Sequence, residues 1–153
     1  MGMPFVAFQR RYDAGDPLEA FDDDLPILYR MGIRAVVCLL NIPTDDAVFH
    51  SAGFEFLCLP VDDGRAPTLP QALDFIRFVG SCRSRGLPVA VFCEAGLGRT
   101  GTMIASYFVH QGESADAAVS RVRARQPAAI ESRAQVDFLH ELEAAGQQGK
   151  LVI

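Results

Sequence analysis

Val89-Ala90-Val91-Phe92-Cys93-Glu94-Ala95-Gly96-Leu97-Gly98-Arg99-Thr100-Gly101 is the stretch from which the rest of the chain is read. It opens with four apolar residues after Pro88, the pattern of a short buried strand. A cysteine, a glycine-bearing loop and an arginine follow, and the chain runs directly into Thr100–Val109, apolar enough for a core helix. A strand, a tight loop and a helix N-terminus make an anion site, because unpaired backbone N–H groups and the positive end of the helix dipole converge there. Gly96 and Gly98 let the backbone curl so that successive N–H groups point inward, a nest for phosphate or another oxyanion. Arg99 adds a planar, two-pronged donor. A cysteine at the base of such a nest, here Cys93, is favoured as thiolate, the nucleophilic form.

Cys93, five residues, Arg99 and then a hydroxyl residue, Thr100, resemble the signature loop of the cysteine-dependent protein tyrosine phosphatases. Cys-Glu-Ala-Gly-Leu-Gly-Arg-Thr-Gly is most similar to the small (atypical) dual-specificity branch. The spacing alone also occurs in sulfurtransferases and by chance. The two internal glycines, Thr100-Gly101, the strand before and the helix after make it specific.

The 153 residues, half of them hydrophobic, suit one compact domain over residues 1–153, and the resemblance covers its core, about 25–142. With 14 basic against 19 acidic residues the net charge is −5, which argues against nucleic acid or an anionic membrane as partner. No apolar run approaches the ~20 residues of a membrane-spanning helix, and Met1–Val6 shows no signal-peptide or myristoylation pattern. The four cysteines lack metal-ligand spacing: Cys38 and Cys58 fall in apolar runs, Cys82 in a helical pattern. That usage predicts a reducing compartment, the cytoplasm.

In chain order, Met3–Phe8 reads as an edge strand and Arg10–Pro17 as a loop. Asp22–Met31 reads as a helix capped by Asp22 or Asp23 and ended by Gly32. Ala35–Leu40 is a continuous apolar strand of the kind found in covered parallel sheets. After a turn at Asn41–Pro43, Thr44 caps a helix with Asp45 and Asp46 in its first turn, and Gly53 stops it. Phe54–Val61 is the next strand and Asp62–Pro67 a loop. Thr68-x-x-Gln71 is a capping box for a long helix with Leu69, Leu73, Ile76 and Val79 as its stripe, closed by Gly86. Beyond the signature helix, Gly112 is a C-cap, Ser114 starts a helix to Gln126, and Ser132 starts the last, with Val136, Leu139 and Leu142 on one face. Gln147–Ile153 reads as a loosely held tail. Strands alternating with helices predict an α/β fold around a mostly parallel central sheet flanked by helices, with the loop at a strand's C-terminal end, where such sheets bind ligands. The resemblance implies four or five strands.

Chemistry of this kind needs an acid that protonates the leaving oxygen and then activates water. The resemblance places it at an Asp-Gly about thirty residues before the nucleophile, which favours Asp63 in Asp62-Asp63-Gly64-Arg65-Ala66-Pro67, with Asp62 second; Asp-Gly is equally a turn signal. It also implies that Gln135 positions the hydrolytic water, although Ser132-x-x-Gln135 is itself a capping box. The backbone amides from Glu94 through Ala95, Gly96, Leu97 and Gly98 to Arg99 would bind phosphate, and Thr100 would ease departure of the thiolate. No metal or other cofactor is implied. Two departures from the family stand out: Phe92 where histidine is usual, and Gln126-Pro127-Ala128 where Arg-Pro-Gly is common. His50, His110 and His140 sit in helical patterns and read as surface or packing residues.

The reading is therefore a phosphomonoester hydrolase, a protein tyrosine or dual-specificity phosphatase that acts as a monomer on a phosphorylated protein or peptide. Three alternatives stay open: a non-catalytic phosphate-binding relative, a phosphoinositide phosphatase and a sulfurtransferase. Glu94, Ala95 and Leu97 occupy loop positions where phosphoinositide phosphatases carry lysines, which favours substrates with a single phosphate.

Overall fold

The structure, a computed structural model, describes residues 24–41 and 46–151. The readings made for Met3–Phe8, Arg10–Pro17, the caps Asp22, Asp23 and Thr44, Pro43 and Asp45 lie outside those residues. The elements are α1 (Leu25–Arg30), β1 (Ala35–Cys38), α2 (Asp46–Ser51), β2 (Glu55–Cys58), α3 (Leu69–Ser84), β3 (Val89–Phe92), α4 (Gly98–His110), α5 (Ala115–Arg125) and α6 (Arg133–Gln147). The described residues form a three-stranded parallel sheet of order β2-β1-β3, not the four or five strands the resemblance implies.

Alternation along the strands decides which layer each residue meets. Val36 and Cys38 of β1, Phe56 of β2 and Phe92 of β3 face α1 and α2, where they pack with Leu25, Leu28 and Phe49. Phe49 stacks on Phe56 at a centroid distance of 3.8 Å. Val37, Leu39, Val91 and Cys93 face the opposite layer, against Phe75 and Ile76 of α3 and Met103 of α4. A third cluster joins α4, α5 and α6 through Val109, Val119, Val122, Leu139 and Leu142. Phe92 thus belongs to the apolar layer that the site does not use, and it is fully buried there. A buried phenylalanine contributes about 1.5–3 kcal/mol, so the departure at this position supports the core.

Several boundaries differ from the sequence reading. Pro26 sits in the first turn of α1, which begins at Leu25 rather than Asp22; Asp24 occupies the N-cap position without a side-chain capping bond. Strands β1 and β2 end at Cys38 and Cys58, but Leu39 N–H still donates to the Phe92 carbonyl (2.9 Å) and Val61 N–H to the Leu39 carbonyl (3.1 Å). The chain therefore leaves the sheet gradually toward the site. The stripe of α3 is rotated: Ala72, Phe75 and Ile76 are buried, while Leu69 is exposed. Leu151 packs on the α4–α5–α6 cluster, so the tail is held at that point. Both capping boxes, Thr68/Gln71 and Ser132/Gln135, are present, and Ser114 caps α5.

Candidate active site

β3 delivers Cys93 at its C-terminal end, on the face covered by α3 and α4, where it is 2% exposed. Residues Glu94–Leu97 form an irregular loop, and α4 begins at Gly98. Gly96 has a φ of 75°, the left-handed conformation that the curl requires. Gly98 is needed for a different reason from the one the sequence suggests. It is helical, and a Cβ there would lie 2.5 Å from Glu131 Oε2 and 3.0 Å from Gln135 Nε2. Gly101 has the same function one turn on, since its Cβ would lie 3.0 Å from the Ala129 methyl and 3.2 Å from the Ile130 nitrogen. The two glycines let residues 129–135 press against the loop.

That contact carries strain. Ile130 has a φ of 59°, costly for a β-branched residue. Its N–H reaches the Leu97 carbonyl (3.3 Å), which also accepts from Gly101 N–H (2.9 Å). Arg123 holds the segment from the other side, donating to the Ala129 (3.0 Å) and Ile130 (2.8 Å) carbonyls. A positive-φ isoleucine has no sequence signature, so this buttress was not legible beforehand.

Thr100 Oγ1 donates to Cys93 Sγ at 3.1 Å, and both groups are buried. Arg99, 5% exposed, donates from Nη1 to the Val61 carbonyl (3.0 Å) and pairs through Nη2 with Asp63 Oδ1 (3.1 Å). Arg99 Nε is buried and has no hydrogen-bond partner among the described residues. The structure therefore brings Cys93, Arg99, Thr100 and Asp63 together. Asp62 is turned elsewhere, its Oδ1 accepting from Asn41 Nδ2 (3.2 Å) while its carbonyl closes a turn with Arg65 N–H. Gly64, with a φ of 69°, completes that turn. Gln135 is fully buried: its Oε1 accepts from the N–H groups of Glu131 and Ser132, and its Nε2 donates to the Arg65 carbonyl (3.2 Å). The capping box and a tether to the Asp63 loop are thus the same side chain.

The remaining cysteines are set apart. Cys38 and Cys58 face each other in register on β1 and β2; the neighbouring thiol and burial push the Cys38 thiol far up. Burial, with the Glu55 carboxylate close by, raises the Cys82 thiol too. Of the histidines, His140 contacts Asp116 across α5 and α6 (3.3 Å), away from the site.

Comparison with known proteins agrees with this geometry. A family model described as "Polymorphic toxin system, DSP-PTPase phosphatase" matches residues 14–113. The human dual specificity protein phosphatase CDC14A is 33% identical over 149 residues, covering 92% of this chain and 24% of that protein. Human protein tyrosine phosphatase type IVA 3 is 29% identical, covering 81% of this chain and 70% of its own length. The chain spans about a quarter of the length of the CDC14-type relatives. The crystal structure of Tk-PTP in the active form superposes with a TM-score of 0.74 at 31% identity, covering 80% of this chain and 85% of that one. The chain belongs to the DSP-PTPase phosphatases, the small dual-specificity members of the cysteine-dependent protein tyrosine phosphatase superfamily.

Proposed function

We propose that the protein hydrolyses phosphomonoesters on a phosphorylated protein or peptide, with a phosphocysteine intermediate on Cys93. The observation that carries this reading is the buried Cys93–Thr100 hydrogen bond beside a buried arginine with one unused donor. A phosphate dianion entering the loop meets the amides of Glu94 to Arg99 and the Nε and Nη2 donors of Arg99. Taking Nη2 displaces Asp63 from its ion pair and frees that carboxyl for the leaving oxygen. Released from Arg99, the exposed Asp63 carboxylate takes up a proton from solvent; the Cys93 thiolate then attacks phosphorus, the P–O bond breaks, and the departing oxygen takes that proton from Asp63. In the second step the Asp63 carboxylate removes a proton from water, the water oxygen attacks phosphorus, and the S–P bond breaks. The hydrogen bond from Thr100 stabilises the thiolate at the start and again as it departs. Gln135 acts on this reading mainly as a positioning residue, because its Oε1 is occupied by the capping amides.

Glu94 in the loop and Asp62 and Asp63 at its rim disfavour further phosphates on the substrate, which supports a monophosphate over a phosphoinositide. Cysteines that form no disulfide support a reducing compartment such as the cytoplasm. The working form on this reading is a monomeric single domain over residues 1–153. The test is metal-independent hydrolysis of an aryl phosphate by the wild type and by Cys93→Ser. Turnover falls to background in the variant, which still folds and binds vanadate; turnover retained above contamination would overturn the proposal.

A further inference from the structure

A groove of about 590 Å³ runs between α4 and α5 and opens against the signature loop. Ala95 and Gly96 form its loop end, Ile104, Phe108 and Val122 give it an apolar lining, and Arg121 and Arg125 lie along it. Thr100 lines it too, and Thr100 is the residue bonded to Cys93 Sγ, so the groove begins one side chain from that sulfur. The two arginines are not equivalent. Arg121 is paired with Glu113 and lies over the Phe108 ring at 4.0 Å. Arg125 is exposed and forms no ion pair with the described residues.

We infer that this groove is a specificity subsite for the substrate residues next to the phosphorylated one, selecting a bulky apolar side chain together with a carboxylate. The inference rests on the phosphatase reading above. A phosphorylated side chain seated in the loop brings its neighbours past Ala95 and Gly96, because an extended chain advances only ~3.3–3.6 Å per residue. An apolar side chain then packs on Ile104 and the edge of Phe108 left open by Arg121, and the free guanidinium of Arg125, at the loop end of α5, meets a neighbouring carboxylate. The groove holds one arginine without an ion pair among the described residues, and in a chain of net charge −5 that matches a single carboxylate, not an anionic membrane surface.

The test compares kcat/KM for phosphotyrosine peptides flanked by Leu and Glu, by Leu and Lys, or by Gly and Lys, with a small aryl phosphate as internal standard. For the wild type, Leu over Gly is worth about tenfold or more, the usual scale of a filled apolar pocket. Glu over Lys is worth roughly two- to fivefold, as for an exposed charge pair. Arg125→Glu reverses the Glu/Lys preference, a swap that misfolding cannot produce, and Phe108→Ala reduces the Leu/Gly ratio. Binding of the same peptides to Cys93→Ser, read by fluorescence anisotropy, supplies the same ratios without turnover. If no phosphoester is hydrolysed, the phosphatase reading fails, and the anisotropy ratios still decide the groove. The subsite is overturned if the wild type shows no peptide preference, or if Arg125→Glu lowers all substrates equally. It is equally overturned if the variant alters only self-association, or only binding to phosphatidylserine vesicles.

Discussion

Cys93, Arg99 and Thr100 are all at most 5% exposed, whereas the side chain of Asp63, 3.1 Å from Arg99, is 82% exposed. The first three are fixed by burial between α3 and α4, by the Thr100–Cys93 bond and by the strained Ala129–Ile130 segment behind the loop. Asp63 sits on a turn held by Gly64 and by two links, Arg99 to the Val61 carbonyl and Gln135 to the Arg65 carbonyl. Anion binding and nucleophilic attack need groups placed before the substrate arrives, because reorganisation at the moment of reaction is costly. On the proposed mechanism Asp63 first leaves Arg99 and then reaches the leaving oxygen, which its exposed position permits. On the proposed mechanism this difference fits a division of labour: a rigid, buried half that binds and attacks, and an exposed half that moves protons.

Breaking the exposed half alone produces the largest graded effect. Asp63→Asn is expected to lower kcat by about 10²–10⁴-fold for alkyl phosphates, the usual contribution of positioned acid catalysis. The loss is smaller for nitrophenyl-type leaving groups that need no proton, while vanadate binding is retained. If Asp62→Asn shows that pattern instead, the two carboxylates have been assigned to the wrong halves.

A smaller effect sharpens the contrast among the thiols. The Cys38 and Cys82 thiols are pushed up by burial and their neighbours, so they stay protonated and slow toward peroxide. Cys93 is expected to be modified several-fold faster than either. Peptide mapping after mild peroxide measures this, and equal labelling would deny the loop its activating role.

The smallest effect probes the rigidity of the buttress. Gly101→Ala gains up to about 1 kcal/mol in helix propensity, but its methyl meets Ala129 and the backbone of the strained Ile130. Overpacking of this kind costs about 1–3 kcal/mol, so the net change is a destabilisation of roughly 1 kcal/mol. Thermal unfolding reads it as a modest fall in Tm with reduced kcat; a rise in Tm would show that residues 129–130 yield freely.

The rigid half was largely legible in the sequence, because each group there has a local signature. A strand, a cysteine, three glycines, an arginine and a helix start lie within thirteen consecutive residues, and the capping boxes at Thr68 and Ser132 are equally local. What stayed hidden depends on contacts distant along the chain. Nothing near Val61 shows that its carbonyl meets Arg99 thirty-eight residues later, and nothing near Gly98 shows that Gln135 needs the space. The rotation of α3 was misread because Leu69 lies in the capping turn, where it stays exposed while Ala72 and Phe75 turn inward. Asp63 lay between these cases: Asp-Gly marked the turn, but only the ion pair with Arg99 separates it from Asp62.

The central claim is the covalent step at Cys93. Its most direct measurement is rapid acid quenching of the enzyme mixed with a radiolabelled phosphopeptide, followed by mapping of the protein-bound label. The account predicts label on the Cys93 peptide, absent in Cys93→Ser and accumulating in Asp63→Asn when the leaving group needs no proton, because water attack is then slowed. Hydrolysis at the wild-type rate with no protein-bound label, or with label on another residue, would contradict it.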